Sequence, residues 1–435
     1  MAPSRCRATE NGGVGFCTVT ESFRQPLSLL VVQPSCDKMG HYGIYTTRLC
    51  QKLSELGHRV VLCSNRVFPE KYLERPPLFE IVEVNDGRWS FESAEKSGSG
   101  RTYWYAYYRN SFLITSAAMR LARRRKFDGI FITDAEFMVA SLVLKTLGRG
   151  LPPVAMQVSA ANFSFDDYRG SVAKKIYKVL QREILRSTLG REIRAVSVLG
   201  EWHREQLIDQ LRLNQRCPAV VTGDGGSAVA TIPKAKARDA LGIKYEGPLL
   251  LFFGMLRRDK GIESLFKAVA LAREQNFKLL VAGHPSEYAE SDMTGEVQRL
   301  GIGDKVILRL GYVPEEQVGL HFSSSDALLL PYASVYRDGS GPLMKGACAY
   351  GVPVLATDVA EMGRLVSLHR LGLLSKPDDP QSLADNIIKF LMLNAEQRMA
   401  MGEAAAALGR ANSWEALASR FSDLFYDMKR RVAIQ

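Results

Sequence analysis

The feature that most restricts the fold of this chain is a repeated order of short apolar run, glycine loop and helical pattern. Residues 27–33 form such a run, residues 39–43 a loop, and a helical pattern leads to Gly57 before the next run at 59–63. A short, continuously apolar run is typical of a strand buried on both faces of a parallel sheet. The order therefore predicts βαβ units of a doubly wound α/β fold.

The same order begins again in the second half of the chain. Residues 249–253 form an apolar run, residues 254–261 a loop, and residues 262–274 a helical pattern before the next run at 277–282. Residues 222–237 separate the halves and hold three glycines and a proline, which is typical of a linker. We expect two α/β halves facing a central cleft, with ligands at the carboxyl ends of the strands.

The length of 435 residues fits two or three domains at roughly 100–200 residues each. The predicted organisation is a disordered leader at 1–26, a first Rossmann-like domain at 27–221, a linker at 222–237, a second Rossmann-like domain at 238–412, and a helix at 413–435 packing back towards the first domain. No apolar run reaches the ~18–20 residues that cross a bilayer, and residues 1–25 lack the apolar segment of a signal peptide.

The seven cysteines include no Cys-x-x-Cys pair. Their odd number and scattered positions favour reduced thiols in a cytoplasmic protein over a disulfide framework or a zinc site. The net charge of +11 is concentrated in the first half, because residues 1–220 hold 32 Lys and Arg against 21 Asp and Glu, whereas the remainder holds 25 of each. This asymmetry predicts an anionic partner for the first half, unless it reflects a general basic bias.

Two segments hold much of this positive excess. Residues 101–126 carry seven basic residues and no acid, interleaved with aromatic residues. The helix predicted at 172–187 is amphipathic, with an apolar face of Val172, Ile176, Val179, Leu180 and Ile184 and a basic stripe of Lys174, Lys178, Arg182 and Arg186. The stripe predicts peripheral contact with an anionic membrane surface on the cytoplasmic side, although a solvated helix face is the alternative. Nucleic acid is not predicted, because no known reader motif is present.

The loop at 253–261 follows a predicted strand and opens a helix. Arg257 can direct two donors onto a diphosphate, and Lys260 supplies a point charge beside the positive helix end. Alone, such a loop is more often just solvated.

The segment at 336–344 is the second candidate for ligand binding. Gly339 and Gly341 allow close approach of the backbone, Ser340 adds a hydroxyl, and Asp338 can accept hydrogen bonds from sugar hydroxyls. A helix predicted at 344–350 would hold a phosphate at its start. An ordinary glycine-rich turn is the alternative.

The ordered series of segments resembles the GT-B glycosyltransferases of the large family 4, which are retaining enzymes, from Leu27 to the end of the chain. The similar segments are the glycine loop at 40–43, the segment 53–60 that leads into the second strand, the strand and loop at 250–261, the strand ends at 280–283 and 310–313, the segments 327–332, 340–343 and 350–357, and the last helix with Trp414. Each segment is modest evidence alone, but their order is specific.

The resemblance implies transfer of a sugar from a nucleotide-sugar donor to a glycan or lipid-linked acceptor, in cell-envelope, polysaccharide or glycolipid synthesis. It implies catalytic roles for Arg257, Lys260 and Asp338, and no cofactor or metal, because two cations and a helix start would stabilise the leaving diphosphate. The donor-binding residues that it implies are Gly40, Gly43, Gly254, Gly283, His284, Tyr312, Gly339, Ser340, Gly341, Pro342 and Leu343.

Three further residues are candidates on the acceptor side. Asp134 and Glu136 follow the run at 129–133 at its cleft-facing end, and His41 lies in the first glycine loop. The alternatives are acids favoured at a helix N-terminus and an ordinary loop histidine.

Two positions depart from the family pattern. The family has two glutamates separated by seven residues, where this chain has Asp338 and Gly346, so a side chain at 346 cannot hold the nucleotide ribose. The family's first-domain histidine is missing from residues 159–162. A noncatalytic sugar-nucleotide-binding or partner subunit therefore stays open, as does a sugar-nucleotide epimerase, which the basic first half disfavours.

Overall fold

The computed structural model describes residues 25–38, 41–84, 90–91, 100–165, 171–226, 229 and 232–434. Most of the predicted leader, Gly40 of the first glycine loop, and part of the predicted linker lie outside these residues. Within the described ranges, no helix combines the length and apolar character needed to cross a membrane.

The first sheet has seven parallel strands. They are β1 (Ser28–Gln33), β2 (Arg59–Ser64), β3 (Glu80–Glu83), β4 (Gly129–Ile132), β5 (Val154–Gln157), β6 (Ile193–Val198) and β7 (Ala219–Val221), in the order β3-β2-β1-β4-β5-β6-β7. The helices of this region are α1 (His41–Glu55), α2 (Gly100–Arg124), α3 (Phe137–Leu147), α4 (Val172–Arg186) and α5 (Glu201–Leu211).

The second sheet has six parallel strands. They are β8 (Leu249–Phe253), β9 (Lys278–Gly283), β10 (Val306–Leu310), β11 (Ala327–Leu330), β12 (Val354–Thr357) and β13 (Gly372–Ser375), in the order β10-β9-β8-β11-β12-β13. Its helices are α6 (Lys234–Ala240), α7 (Ile262–Leu271), α8 (Glu290–Arg299), α9 (Glu315–Ser324), α10 (Ala360–His369), α11 (Pro380–Met392) and α12 (Ala395–Ala411), and a π-helical segment, Pro342–Ala347, continues into one turn at Cys348–Tyr350.

Both sheets reverse their strand order beside their first strand. The crevice of the first sheet therefore opens between β1 and β4, and that of the second between β8 and β11. The central strands are buried along most of their length, as expected for strands covered by helices on both faces. The predicted α/β fold with two parallel sheets is confirmed.

The helix α13 (Trp414–Ile434) follows the second sheet in sequence but packs on the first. Phe421 lies with its ring centroid 4.6 Å from that of Phe131 in β4. A Cβ atom at Gly129 would lie 2.5 Å from the Phe425 ring, so glycine leaves the space that this helix fills. The core of the first sheet is therefore completed by a segment nearly 300 residues later in the chain.

Helix α4 is oriented unlike a usual amphipathic helix, which turns its apolar stripe to the core. Val172, Ile176 and Leu180 are 75%, 57% and 51% exposed. The basic stripe also differs from the prediction, because Arg182 donates to the Phe163 carbonyl and Arg186 to the Gln210 carbonyl. These two arginines hold the helix to the domain.

Candidate functional site

The crevice of the second sheet is formed by backbone segments in close contact. Gly254 and Gly283 end β8 and β9 with φ angles of 115° and 152°. A Cβ atom at Gly283 would overlap the Gly254 carbonyl, so the two strand ends approach each other only because this residue is glycine. These predicted donor-binding glycines shape the loop through backbone contact.

Lys260 lies buried at the base of this crevice. Its Nζ donates to the Tyr332 hydroxyl at 2.7 Å and lies 4.0 Å from the centroid of the same ring. No carboxylate in the described part of the chain lies within ion-pairing distance of this ammonium. Since a buried charge normally has a paired counter-charge, the arrangement suits an anionic ligand.

Arg257 lies in the same loop but is already paired. It donates to both oxygens of Asp259, at 3.0 and 2.9 Å, and lies 3.9 Å from Asp338. Burial lowers the pKa of Arg257, but the hydrogen bonds and charge of Asp259 outweigh burial and raise it. A diphosphate would have to compete with Asp259 for this guanidinium.

The segment with Asp338 and Ser340 lies beside Lys260. The Ser340 hydroxyl lies 3.1 Å from that of Tyr332 and accepts from the Leu343 amide at 3.4 Å, at the start of the π-helical segment. The Tyr336 hydroxyl donates to the Gly339 carbonyl at 2.7 Å. The buried Tyr332 thus lies between Lys260 and Ser340, at the helix start where the sequence predicts phosphate binding.

Gly346, where the family pattern has its second glutamate, has no room for a side chain. A Cβ atom there would overlap the Phe322 ring. That ring is stacked on Tyr350, with centroids 5.7 Å apart and planes 9° apart. The neighbouring Lys345 pairs with Asp224 at 3.2 Å.

Two other predicted donor-side residues lie at the rim. His284 is exposed, and its backbone carbonyl accepts from the Leu256 amide. Tyr312 is 67% exposed and lines a cavity of about 330 Å³ together with Arg309 and His321. Gly341 and Pro342 start the π-helical segment, and Leu343 is buried.

The crevice of the first sheet is lined by amides and acids that bond to one another. Gln33 donates to Asp134 at 2.7 Å, Thr133 donates to Asp134 at 3.0 Å, and Gln157 donates to the Tyr45 hydroxyl at 3.2 Å. Asp134 has a φ of 52°, a left-handed conformation that aspartate tolerates better than most residues.

Tyr42 of α1 lies between the two crevices. Burial raises the pKa of its hydroxyl, and the charges of Asp134 and Asp338, one from each sheet's crevice, raise it further. Lys38 donates to this hydroxyl at 2.7 Å. The charges of both crevices therefore act on this one hydroxyl.

Glu136 caps a helix, and Gly43 lies where a helix packs closely against the backbone. Glu136 is buried, caps α3 by accepting from the Val139 amide, and accepts from Tyr177. A Cβ atom at Gly43, inside α1, would lie 2.6 Å from the Cys36 carbonyl, so this glycine permits close packing of the helix. These bonds favour the alternative named for Glu136, an acid at a helix N-terminus, and its acceptor role stays a prediction. His41 begins α1, and its side chain is outside the described atoms.

A contact between the two sheets' domains was missed by the sequence analysis. The buried His203 of α5 lies with Nε2 3.2 Å from the Arg337 carbonyl, next to Asp338. Glu361 accepts from the Trp202 amide at 2.6 Å. No local pattern marks these residues, because their partners lie 134 and 159 positions away in the sequence.

Comparison with known proteins adds three findings. Residues 233–408 match the family model described as "Glycosyl transferases group 1". A curated relative, D-inositol 3-phosphate glycosyltransferase from Corynebacterium urealyticum, is 31% identical over 196 residues, which cover 43% of this chain and 45% of the relative. The chain thus matches less than half the length of this relative.

Solved structures resemble the chain over most of its length. Sucrose-phosphate synthase from Thermosynechococcus elongatus has a TM-score of 0.71 at 19% identity, covering 93% of this chain and 99% of that one. HepE from Anabaena, solved with UDP-glucose, has a TM-score of 0.66 at 14% identity, covering 92% and 100%. The chain has the GT-B fold of glycosyltransferases, and its region 233–408 matches the group 1 glycosyl transferases.

Proposed function

We propose that this chain transfers a sugar from a nucleotide-sugar donor to a glycan or lipid-linked acceptor, with retention at the anomeric carbon, as in family 4. The proposal depends chiefly on Lys260. Its ammonium is buried and bonded to Tyr332 but has no carboxylate partner among the described residues. A diphosphate leaving group supplies the missing negative charge.

The reaction breaks the bond between the anomeric carbon and the diphosphate oxygen and forms a bond from that carbon to an acceptor oxygen, whose proton passes to the leaving diphosphate. Negative charge grows on the diphosphate as its bond breaks. Lys260, held by Tyr332, would stabilise this charge in place, and Arg257 would add to it by exchanging its bonds to Asp259 for bonds to the diphosphate. The proposal needs no metal or cofactor, because these cations and the helix start at Ser340 neutralise the diphosphate.

The acceptor would lie against the crevice of the first sheet. Asp134 follows β4 and Tyr42 lies on α1, and both side chains can bond to sugar hydroxyls. The positive charge of the first half suits an acceptor or surface that is anionic. We propose a cytoplasmic enzyme of envelope, polysaccharide or glycolipid synthesis that attaches peripherally to an anionic membrane.

The experiment is a thermal-shift screen with UDP, GDP, ADP and their sugars, followed by assays of donor hydrolysis. UDP-glucose is the first donor to test, since HepE was solved with it. A ligand at about 100 times its dissociation constant stabilises the folded state by about 2.7 kcal/mol. Failure of every nucleotide to shift the transition would contradict the proposal.

The second candidate is a noncatalytic nucleotide-binding subunit. The observation that favours it is the Phe322 ring at Gly346, which removes the family's ribose-binding carboxylate. A nucleotide that binds, without donor hydrolysis or transfer to any offered acceptor, would select this alternative.

A further inference from the structure

Helix α5 of the first domain begins without a capping side chain of its own. Its N-cap residue is Gly200, which offers the first turn no side-chain acceptor. The first amides of a helix have no partner within it, and a side-chain oxygen normally accepts from the second or third of them. At α5 this acceptor comes from the second domain, because a carboxylate oxygen of Glu361 accepts from the Trp202 amide at 2.6 Å.

The Glu361 carboxylate is enclosed between the two domains. The residue is 6% exposed, and its other oxygen accepts from Arg364 at 3.2 Å. Burial raises the pKa of this carboxyl, and the bonds from Trp202 and Arg364 oppose that rise. Because a carboxylate leaves water only where hydrogen bonds compensate it, this position of Glu361 depends on α5 lying against it.

Each domain leaves space for a side chain of the other at this contact. A Cβ atom at Gly200 of the first domain would overlap the Glu361 carboxyl group. A Cβ atom at Gly339 of the second domain would lie 2.8 Å from a methyl carbon of Leu199 in the first. The two surfaces are therefore fitted to one another in both directions.

The backbone directly before Glu361 is strained. Ala360, the first residue of α10, has a φ of 47°, in the left-handed region that residues other than glycine, asparagine and aspartate rarely adopt. Such strain persists only where the surrounding structure holds it, and it is concentrated at functional sites. The strain therefore favours a functional role for the position of Glu361.

The first turn of α5 also contacts the loop that carries Asp338. His203 follows Trp202 in this turn, and its Nε2 lies 3.2 Å from the Arg337 carbonyl. Two adjacent residues of the first domain thus bond to the second domain, one to Glu361 and one to the backbone beside Asp338. A displacement of α5 would break both contacts together.

We propose that Glu361 is a positioning residue for the donor sugar, because its capping of α5 across the cleft holds the first domain against the loop with Asp338. The inference rests on the proposed function, with Asp338 as the sugar-binding residue that the sequence predicts. The diphosphate would contact Lys260 and Arg257, which both belong to the second domain. Loss of the cap should therefore weaken binding of the sugar and leave binding of the diphosphate almost unchanged.

The test compares the binding of UDP with that of UDP-glucose by isothermal titration calorimetry, or of the matching GDP or ADP pair if the thermal-shift screen selects it. Glu361→Ala removes the cap, Glu361→Asp keeps the charge on a shorter side chain, and Glu361→Gln keeps an acceptor of the original length. The control is Asn394→Ala, because Asn394 caps α12 by accepting from the Gln397 amide of the same helix.

We expect Glu361→Ala and Glu361→Asp to weaken UDP-glucose binding by about tenfold and UDP binding by less than about twofold, as loss of one capping bond allows. Glu361→Gln should keep most of the affinity, and the control should bind both ligands like the wild type. Unchanged binding of both ligands by Glu361→Ala, or equal weakening of both, would overturn the proposal. Glu361→Gln binding as weakly as Glu361→Ala would also overturn it, since the charge would then act and not the capping bond.

Gly200→Ala tests the same contact from the first domain. Its methyl group would displace the Glu361 carboxyl, while the φ of −165° at this position is extended backbone that alanine adopts. This variant should weaken UDP-glucose binding as Glu361→Ala does. The double variant should be no weaker than either single variant, because both remove one contact, and additive losses would contradict the proposal.

Small-angle X-ray scattering of the ligand-free protein measures the arrangement of the domains without any nucleotide. The radius of gyration should increase in Glu361→Ala and Gly200→Ala and keep its wild-type value in Asn394→Ala. An unchanged radius in both cleft variants would overturn the proposal. If no nucleotide binds the wild type, the proposed function fails, whereas an increased radius in these two variants still supports the cap across the cleft.

Discussion

The two crevices differ in how their polar groups are satisfied. In the first, the Asp134 carboxylate accepts a hydrogen bond from the Gln33 amide. In the second, the buried Lys260 has a hydroxyl and aromatic rings around it but no described carboxylate. The difference indicates that the second crevice is built for an anion, whereas the first presents neutral and acidic acceptors suited to hydroxyl groups.

The largest loss of sugar transfer is expected from substitutions in the second crevice. Lys260→Ala and Arg257→Ala should each lower transfer by about 10²–10³-fold, because each removes a donor to the leaving diphosphate. Steady-state kinetics measures the loss. Arg258→Ala is the matched control, since that side chain is 71% exposed in the same loop. Near wild-type turnover in both folded variants would remove the donor-phosphate assignment.

A smaller and different effect is expected in the first crevice. Asp134→Asn should lower transfer by about tenfold or more, because an acceptor of hydrogen bonds becomes partly a donor, while the thermal shift with nucleotide stays unchanged. Asp128→Asn is the comparison, since Asp128 lies at the opposite end of β4, bonded to Ser28 and Lys429. Equal loss of nucleotide binding in Asp134→Asn would show that the crevices do not have separate ligands.

Gly346→Glu tests whether the second crevice would bind the nucleotide ribose again if the family's second glutamate were restored. We expect a loss of roughly 1–3 kcal/mol in the free energy of unfolding, because the new side chain overlaps the Phe322 ring. Donor affinity should not improve. Adding Phe322→Ala should recover part of the stability by making space. A gain in donor affinity above roughly tenfold, or about 1.4 kcal/mol, would instead identify a degenerate ribose site.

The smallest effect concerns His203 of α5, which bonds to the Arg337 carbonyl of the second domain. Burial lowers its pKa to about 4, so between about pH 4 and its ordinary value near 6.5 the unfolded chain binds more protons and stability rises with pH. His203→Gln should reduce this slope and keep the bond to the Arg337 carbonyl. His203→Phe should also reduce the pH slope, and it should lower the free energy of unfolding by about 1 kcal/mol, because the Arg337 carbonyl loses its hydrogen bond.

Denaturant unfolding at several pH values measures both quantities. The KM for the donor is the second measurement. It should rise in His203→Phe, which loses the bond to the Arg337 carbonyl, and stay unchanged in His203→Gln, which keeps it. An unchanged pH slope in both variants would mean that His203 is not the group that titrates. Equal donor KM in the glutamine and phenylalanine variants would mean that the bond does not position the donor loop.

The sequence predicted the parts of the fold that depend on local pattern. The apolar runs at 27–33 and 249–253 correspond to β1 and β8, because buried parallel strands have a local signature. Arg257, Lys260 and Asp338 were found by spacing and resemblance, and they lie together. The family 4 assignment and the roles of these residues stay predictions.

Other features depend on distant contacts and could not be predicted. The periodicity of α4 identified an apolar face, but periodicity does not tell which side a domain binds, and the polar side is bound through Glu136. Glu136 was a candidate because acids near strand ends often contact ligands, yet its partners are 41 and 45 residues away. The contact of His203 with Arg337 crosses from one sheet to the other.

The packing of α13 has a consequence for synthesis on the ribosome. Because Phe421 and Phe425 fill space against Phe131 and Gly129, the first domain cannot bury that face while the second is being made. Domains usually fold in order as they emerge, but here the first must wait for the last helix. Contacts between such distant residues also slow folding. The nascent first domain therefore keeps an exposed apolar surface, which a chaperone could recognise, throughout translation of the second.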